Sequence, residues 1–198
     1  MRCFVIALIC FPIFLVGCSG NIECNFVTTN FNSINVEPTD AKVFRFKCDE
    51  CFWWLDESGR LNIAGKGINK SLINSTLDRE FYISFVLGSP SHGIGKNYKL
   101  NSQSIRGLIK MSGNMYRFRS VYGILGIENR KQDLIKGAYR ANVRVCAARL
   151  LGGWSKSTPF LICGTLQAVP DKENKGKQIR KITEQMGYSR RFTNTSPK

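Results

Sequence analysis

Residues 80–87 read Glu-Phe-Tyr-Ile-Ser-Phe-Val-Leu, and this stretch predicts a β-strand. Most of it is aromatic or β-branched, a composition that fits a pleated, half-buried surface. The segment after it, Ser89–Lys96, is rich in Pro, Ser and Gly and therefore predicts a loop. The same pattern, a strand-like segment followed by a loop, is found in the rest of the chain.

Similar segments recur along the sequence at a spacing of about 8–15 residues, and no long segment with helical periodicity interrupts them. This pattern predicts an all-β fold, an antiparallel β-sandwich of about eight strands over residues 39–170, with a small barrel as the alternative. The candidate strands are Lys42–Lys47, Phe52–Leu55, Arg60–Ile63, Glu80–Leu87, Tyr98–Leu100, Ile105–Met111, Met115–Ile124, Ala138–Leu150 and Phe160–Val169.

The C-terminal segment, residues 171–198, differs in composition and is basic. Lys175–Met186 places Ile179, Ile182 and Met186 on one side of a helix, so we predict a short amphipathic helix there. Packing of this helix on the sheet is favoured over docking on an anionic surface. The last residues, Ser189–Lys198, are predicted to be disordered.

The N-terminus resembles a targeting signal. Arg2 precedes the apolar run Cys3–Val16, which is about 14 residues long, whereas a membrane-spanning helix needs roughly 17–25. Leu15-Val16-Gly17-Cys18 at its end resembles the lipobox of bacterial lipoproteins. The resemblance implies that residues 1–17 are a signal peptide and that Cys18 becomes the acylated first residue of an 18–38 tether. The alternatives are an ordinary cleaved signal peptide and a true membrane anchor.

The residue after the cysteine bears on location. In the lipoprotein family, an Asp in that position tends to retain the protein at the inner membrane, and this chain has Ser19. The resemblance therefore implies a protein anchored by lipid in the outer membrane of a Gram-negative host and facing the periplasm.

The charge of the chain is unevenly distributed. The formal net charge is +15, and residues 96–149 hold twelve Lys/Arg against two Asp/Glu. Such an asymmetry is informative about partners rather than about fold. Because the periplasm contains little nucleic acid, the expected partners are an anionic lipid or glycan of the envelope, or an envelope protein. The alternative is a soluble basic surface that has no dedicated ligand.

Five of the eight cysteines would follow Cys18 in the mature chain: Cys24, Cys48, Cys51, Cys146 and Cys163. Disulfides are the default in an oxidising compartment. We expect Cys146 to pair with Cys163, because each lies in an apolar strand-like run and the segment between them resembles a hairpin. Cys24 could bridge to Cys48 or to Cys51.

Cys48-Asp-Glu-Cys51 has the spacing of a redox dithiol, of half a zinc site or of two disulfide cysteines. Nearby acidic residues disfavour a thiolate, and the motif follows a strand-like run rather than opening a helix. A structural disulfide is therefore the favoured interpretation, and no metal or cofactor is expected.

Arginine alternates with aromatic or aliphatic residues on two predicted strands. In Met115–Ile124, Tyr116, Phe118 and Tyr122 fall on one face, and Arg117 and Arg119 fall on the other. Tyr139–Val145 likewise opposes Arg140 and Arg144 to its apolar residues. If the two strands are neighbours with matching faces, these four arginines form a basic surface suited to carboxylate or phosphate.

No catalytic constellation stands out. The single histidine, His92, lies in the Ser89–Lys96 loop without a signalled nucleophile. The sequence therefore favours a non-enzymatic binding or assembly module of the envelope. The alternative is an inhibitor or immunity-type lipoprotein that blocks an enzyme in the periplasm, with the Ser89–Lys96 loop as its contact.

Overall fold

The computed structural model describes residues 20–28, 43–69, 79–88, 97–111, 113–131, 133–148 and 155–188. Within these residues there are ten strands and one helix. The strands are β1 (Asn21–Thr28), β2 (Val43–Cys48), β3 (Glu50–Leu55), β4 (Leu61–Asn69), β5 (Arg79–Val86), β6 (Asn97–Leu100), β7 (Ile105–Met111), β8 (Asn114–Lys131), β9 (Leu134–Ala147) and β10 (Thr158–Pro170), and the helix is α1 (Lys175–Tyr188).

All ten strands belong to one hydrogen-bonded sheet, and part of this sheet closes on itself. Antiparallel pairings run in the order β3–β4–β5–β7–β8–β9–β10. The end of β10 then returns to β3 in parallel, with Val169 opposite Phe52 and Pro170 opposite Trp53. The remaining strands extend the sheet: β1 pairs with β10, β2 with β1, and β6 with β8.

This topology confirms the all-β prediction, but it does not confirm a sandwich of two separate sheets. A sandwich needs two sheets that face each other across a core. Here the seven-strand ring encloses the core as a closed barrel. β8, with 18 residues, pairs with β7, β6 and β9, and β9, with 14 residues, pairs with β8 and β10.

A cluster of phenylalanines fills part of the barrel interior. Phe81 is fully buried and stacks between Phe46, with a centroid separation of 5.0 Å, and Phe118, at 6.0 Å. Phe26 meets Phe118 edge-on at 5.0 Å. Such aromatic contacts add to the stabilisation that burial alone provides. The interior is therefore a packed core.

The aromatic and β-branched stretch Glu-Phe-Tyr-Ile-Ser-Phe-Val at residues 80–86 forms most of β5. Phe81, Ile83 and Phe85 face the barrel interior, whereas Tyr82 and Ser84 on the other face lie under helix α1. Both faces of this strand are covered, and all five residues are buried. This explains why its sequence shows no apolar–polar alternation, which is expected only where one face meets water.

Helix α1 packs against the outer face of the barrel. Ile179 is 4% exposed and belongs to a cluster with Trp54, Tyr82 and Leu108. The Thr183 hydroxyl lies 2.8 Å from that of Ser84, which adds a buried polar contact. The short C-terminal helix is therefore confirmed, and it packs on the sheet as favoured above.

The sheet begins earlier than expected. Strand β1 starts at Asn21, and Ile22, Cys24 and Phe26 project into the core. A tether through residue 38 is therefore wrong for Asn21–Thr28, which pairs with both β10 and β2.

Several predicted features lie outside the described residues: the signal peptide, Cys18, Ser19, His92, the Ser89–Lys96 loop and Ser189–Lys198. These expectations stay predictions, as does the inhibitor alternative that depends on the loop. Among the residues that are described, no helix is both long enough and apolar enough to cross a membrane.

Candidate anion-binding face

Three arginines stand in one row across neighbouring strands of the barrel. Arg106 on β7 is the register partner of Arg119 on β8. Arg119 is in turn the register partner of Arg144 on β9. Directly opposed residues in an antiparallel pair have Cβ atoms about 4.5–5.5 Å apart. The three side chains therefore rise side by side from the outer surface.

Two more arginines extend this row along the strands. Arg117 lies one pleat from Arg119 on β8, and Arg140 lies four residues before Arg144 on β9. The residue between the two β8 arginines, Phe118, is 3% exposed and points inward. The four predicted arginines therefore share the outer face of adjacent strands, and the structure adds Arg106. We call these five residues the arginine face: Arg106, Arg117, Arg119, Arg140 and Arg144.

Three arginines of the arginine face have no ion pair with a described carboxylate. Arg119, Arg140 and Arg144 are exposed. Within the part of the chain that the structure describes, no carboxylate forms an ion pair with any of these three. Arg144 Nη1 donates only a long hydrogen bond, 3.4 Å, to Ser157 Oγ. Because like charges directly opposite each other destabilise a sheet, an anion bound between these guanidinium groups would relieve their repulsion.

A β-bulge changes the side-chain pattern beside the arginine face. The β8–β9 register shifts between Ser120 and Tyr122. Ser120 Oγ holds the bulge in place, since it accepts a hydrogen bond from Ile105 N at 3.0 Å and donates to the carbonyl of Asn101. A bulge inserts one extra residue, so the alternation of faces reverses beyond it.

The bulge makes one prediction wrong. Strict alternation puts Tyr122 on the same face as Phe118, yet Tyr122 is 58% exposed. Val121 and Ile124 are also exposed, at 40% and 58%. We call Val121, Tyr122 and Ile124 the apolar step; it lies on the outer face next to the arginine face.

The structure does not bring Cys146 and Cys163 together. Their strands are antiparallel neighbours, as expected, but Cys163 lies opposite Arg140, and the register places Cys146 opposite Ser157. Six residues of strand separate the two positions, about 20 Å. A disulfide needs Cα atoms within about 7 Å, so this pairing is wrong for the observed register.

The other three cysteines lie inside the barrel. Cys24, Cys48 and Cys51 are buried, with free thiols. Burial raises the pKa of Cys24 to about 12, against an ordinary 9.0. The pKa of Cys48 is also raised, first by burial and then by the charges of Cys51 and Cys24. A raised pKa is the opposite of what a redox dithiol needs.

No group of three or more His, Cys, Asp or Glu side chains that could hold a metal ion occurs among the described residues. Cys48 is near enough to both Cys24 and Cys51 to be affected by their charges. A bridge from Cys24 to Cys48 or to Cys51 stays a prediction.

The buried thiols are expected to resist alkylation. In the reduced, folded chain at pH 8, iodoacetamide should label the partly exposed Cys146 and Cys163 and spare Cys24, Cys48 and Cys51. The raised pKa of Cys24 suppresses its thiolate at pH 8, and burial blocks access of the reagent as well. Peptide-resolved mass spectrometry with and without urea measures this. Rapid labelling of Cys24 without urea would contradict the buried placement of β1.

A groove of about 480 Å³ between helix α1 and the turn after β3 is a weaker candidate for an anion site. Two of the arginines that line it are already neutralised. Arg60 pairs with Asp56 at 2.9 Å, and Arg180 pairs with Glu184 at 2.8 Å. The arginine face is therefore the more strongly cationic of the two surfaces.

Fold and site together define a small closed β-barrel with a basic outer face. No protein family, curated protein or solved structure that was compared with this chain matches it.

Proposed function

We propose that this chain is a lipid-anchored envelope protein that acts as a non-enzymatic binding module and holds an anionic partner on the arginine face. The observation that carries the proposal is the register pair Arg119–Arg144, two exposed like charges that no carboxylate among the described residues neutralises. A sheet that tolerates such repulsion gains most from a ligand that neutralises it. Guanidinium groups bind carboxylate and phosphate through paired hydrogen bonds, which makes either group a suitable ligand.

The proposal includes a location at the outer membrane. The lipobox-like Leu15-Val16-Gly17-Cys18 supports an anchor at Cys18, and Ser19 supports the outer membrane, with the barrel facing the periplasm. In that compartment the anionic partners at hand are lipid head groups, envelope glycans and acidic proteins.

Charge reversal of Arg117, Arg119, Arg140 and Arg144 tests the proposal. A photo-crosslinker at Tyr122 in the native envelope should capture the partner with the parent chain. The fourfold reversal should lower the yield at least about tenfold, since a single charge-assisted contact already exceeds the free energy of a tenfold change. Mass spectrometry of the adduct identifies the partner.

Lys177→Glu with Lys181→Glu serves as the control. Both lysines are exposed on helix α1 and line the groove beside the turn after β3, which no residue of the arginine face lines. This variant also lowers the net charge, so it separates a local site from general electrostatic attraction. Equal crosslinking by the parent and the fourfold variant, or an equal loss in the helix variant, would count against the arginine face.

A further inference from the structure

The apolar step concentrates exposed apolar side chains on one short part of β8. Seven large apolar residues are exposed in the described part of the chain, and three of them lie within four positions of β8. The bulge at Val121 is the cause, because it turns two consecutive residues outward. Bulges often mark functional positions, where they re-aim side chains.

Cations border the apolar step on several sides. Ile124 lies opposite Lys99 on β6 and opposite Arg140 on β9. Arg119 precedes the step by two residues, with Arg106 and Arg144 beside it. Aromatic and aliphatic side chains ringed by Lys and Arg are typical of surfaces that lie in a membrane interface.

We infer that the apolar step and the arginine face together dock on the surface of an anionic lipid bilayer. Tyr122 and Ile124 enter the head-group region, and Arg119, Arg140 and Arg144 bind lipid phosphate. This inference depends on the proposed function, since it names the anionic partner as lipid. An acidic protein on the same face is the outcome that would replace it.

The position of the chain's N-terminal strand favours lipid. β1 begins at Asn21, three residues after the predicted acylation site Cys18, a distance of at most about 10 Å. Asn21 lies opposite Gln167 on β10, and Gln167 lies opposite Lys136 on β9. Lys136 in turn lies opposite Glu128 on β8, so this row of register partners connects the start of β1 with β8.

Along β8, Ile124 lies only four residues from Glu128, about 13 Å. Across the sheet, β8 is three strand spacings from β1, about 14 Å. A chain anchored at Cys18 therefore holds the apolar step within reach of the bilayer. Membrane attachment by lipid is stable when a second signal such as a basic patch joins it.

Sedimentation with lipid vesicles tests the inference. The probe is the full mature chain from residue 18 with Cys18→Ser, which cannot be acylated. Its binding to vesicles that contain phosphatidylglycerol should exceed binding to phosphatidylcholine vesicles at least about tenfold. Tyr122→Ser with Ile124→Ser should lower binding to the anionic vesicles by about tenfold or more. Arg119→Gln with Arg144→Gln should remove most of the preference for anionic lipid.

Val43→Ser with Phe44→Ser is the matched control, because these β2 residues are also exposed, at 49% and 44%. It should bind as the parent does, and circular dichroism should show all variants folded. No preference for anionic vesicles, or no effect of the β8 substitutions, would overturn the inference. If vesicle binding fails while the arginine-dependent crosslink persists, the lipid inference falls and the proposed function stands. If the parent and the fourfold arginine variant crosslink equally, both the lipid inference and the proposed function are overturned.

Discussion

Phe81→Ala is expected to lower the free energy of unfolding by about 3–5 kcal/mol, a range observed for large aromatic residues deleted from cores. Phe81 is fully buried. Its ring is stacked between Phe46 and Phe118 and meets Phe26 edge-on at 6.3 Å. Removing it leaves a cavity among rings from three other strands, which a closed barrel cannot easily collapse to fill. Urea unfolding followed by tryptophan fluorescence measures the loss.

Phe44→Ala provides the matched comparison within the same sheet. Phe44 on β2 is 44% exposed, so its removal takes away much less buried surface. We expect a loss below about 1 kcal/mol. If the two alanine variants unfold at the same urea concentration, the phenylalanine cluster is not the centre of the core.

The strands were more predictable than their arrangement. Glu80–Leu87 predicts a strand because its composition is local information, and β5 occupies nearly the same residues. What covers its second face is helix α1, which lies almost a hundred residues later in the chain. Closure of the barrel depends on just two residue pairs between β10 and β3. No periodicity within either strand encodes such a contact, so a sandwich and a barrel look alike in the sequence.

The arginine face was predictable in part for the same reason. Alternation alone puts Arg117 and Arg119 opposite Phe118, and the structure agrees. Arg106 enters only through the β7–β8 register, which depends on the turn between those strands. Tyr122 was placed wrongly because period-two alternation assumes a strand without a bulge. A polar Ser120 within an otherwise apolar inward row was the one local signal of this irregularity.

The cysteines illustrate the limit of arguments from neighbouring strands. Cys146 and Cys163 do lie on adjacent antiparallel strands, but pairing also requires matching register. The register is fixed along eleven residue pairs of β9 and β10, and it leaves the two cysteines far apart.

Gly164→Ala is expected to displace strand β1 and to lower the free energy of unfolding by about 3 kcal/mol, the upper part of the usual range for overpacking. A Cβ at Gly164 would overlap the carbonyl oxygen of Glu23 on β1 and would lie 3.1 Å from the hydroxyl of Tyr139. That hydroxyl donates a 2.9 Å hydrogen bond to the same carbonyl. Backbone cannot turn aside as a flexible side chain can, so β1 itself must move.

Hydrogen exchange over Asn21–Thr28 distinguishes displacement of β1 from general loss of stability. Gly88→Ala is the control, because a Cβ there meets nothing within 4 Å; its exchange and unfolding should match the parent. If β1 stays protected in Gly164→Ala, the close approach of β1 and β10 is not what the glycine serves. The result also bears on the proposed attachment to the bilayer, because β1 would join the barrel to the predicted lipid at Cys18. Loosening β1 would lengthen the predicted tether by up to eight residues, and it would weaken the proposed placement of the apolar step beside the membrane.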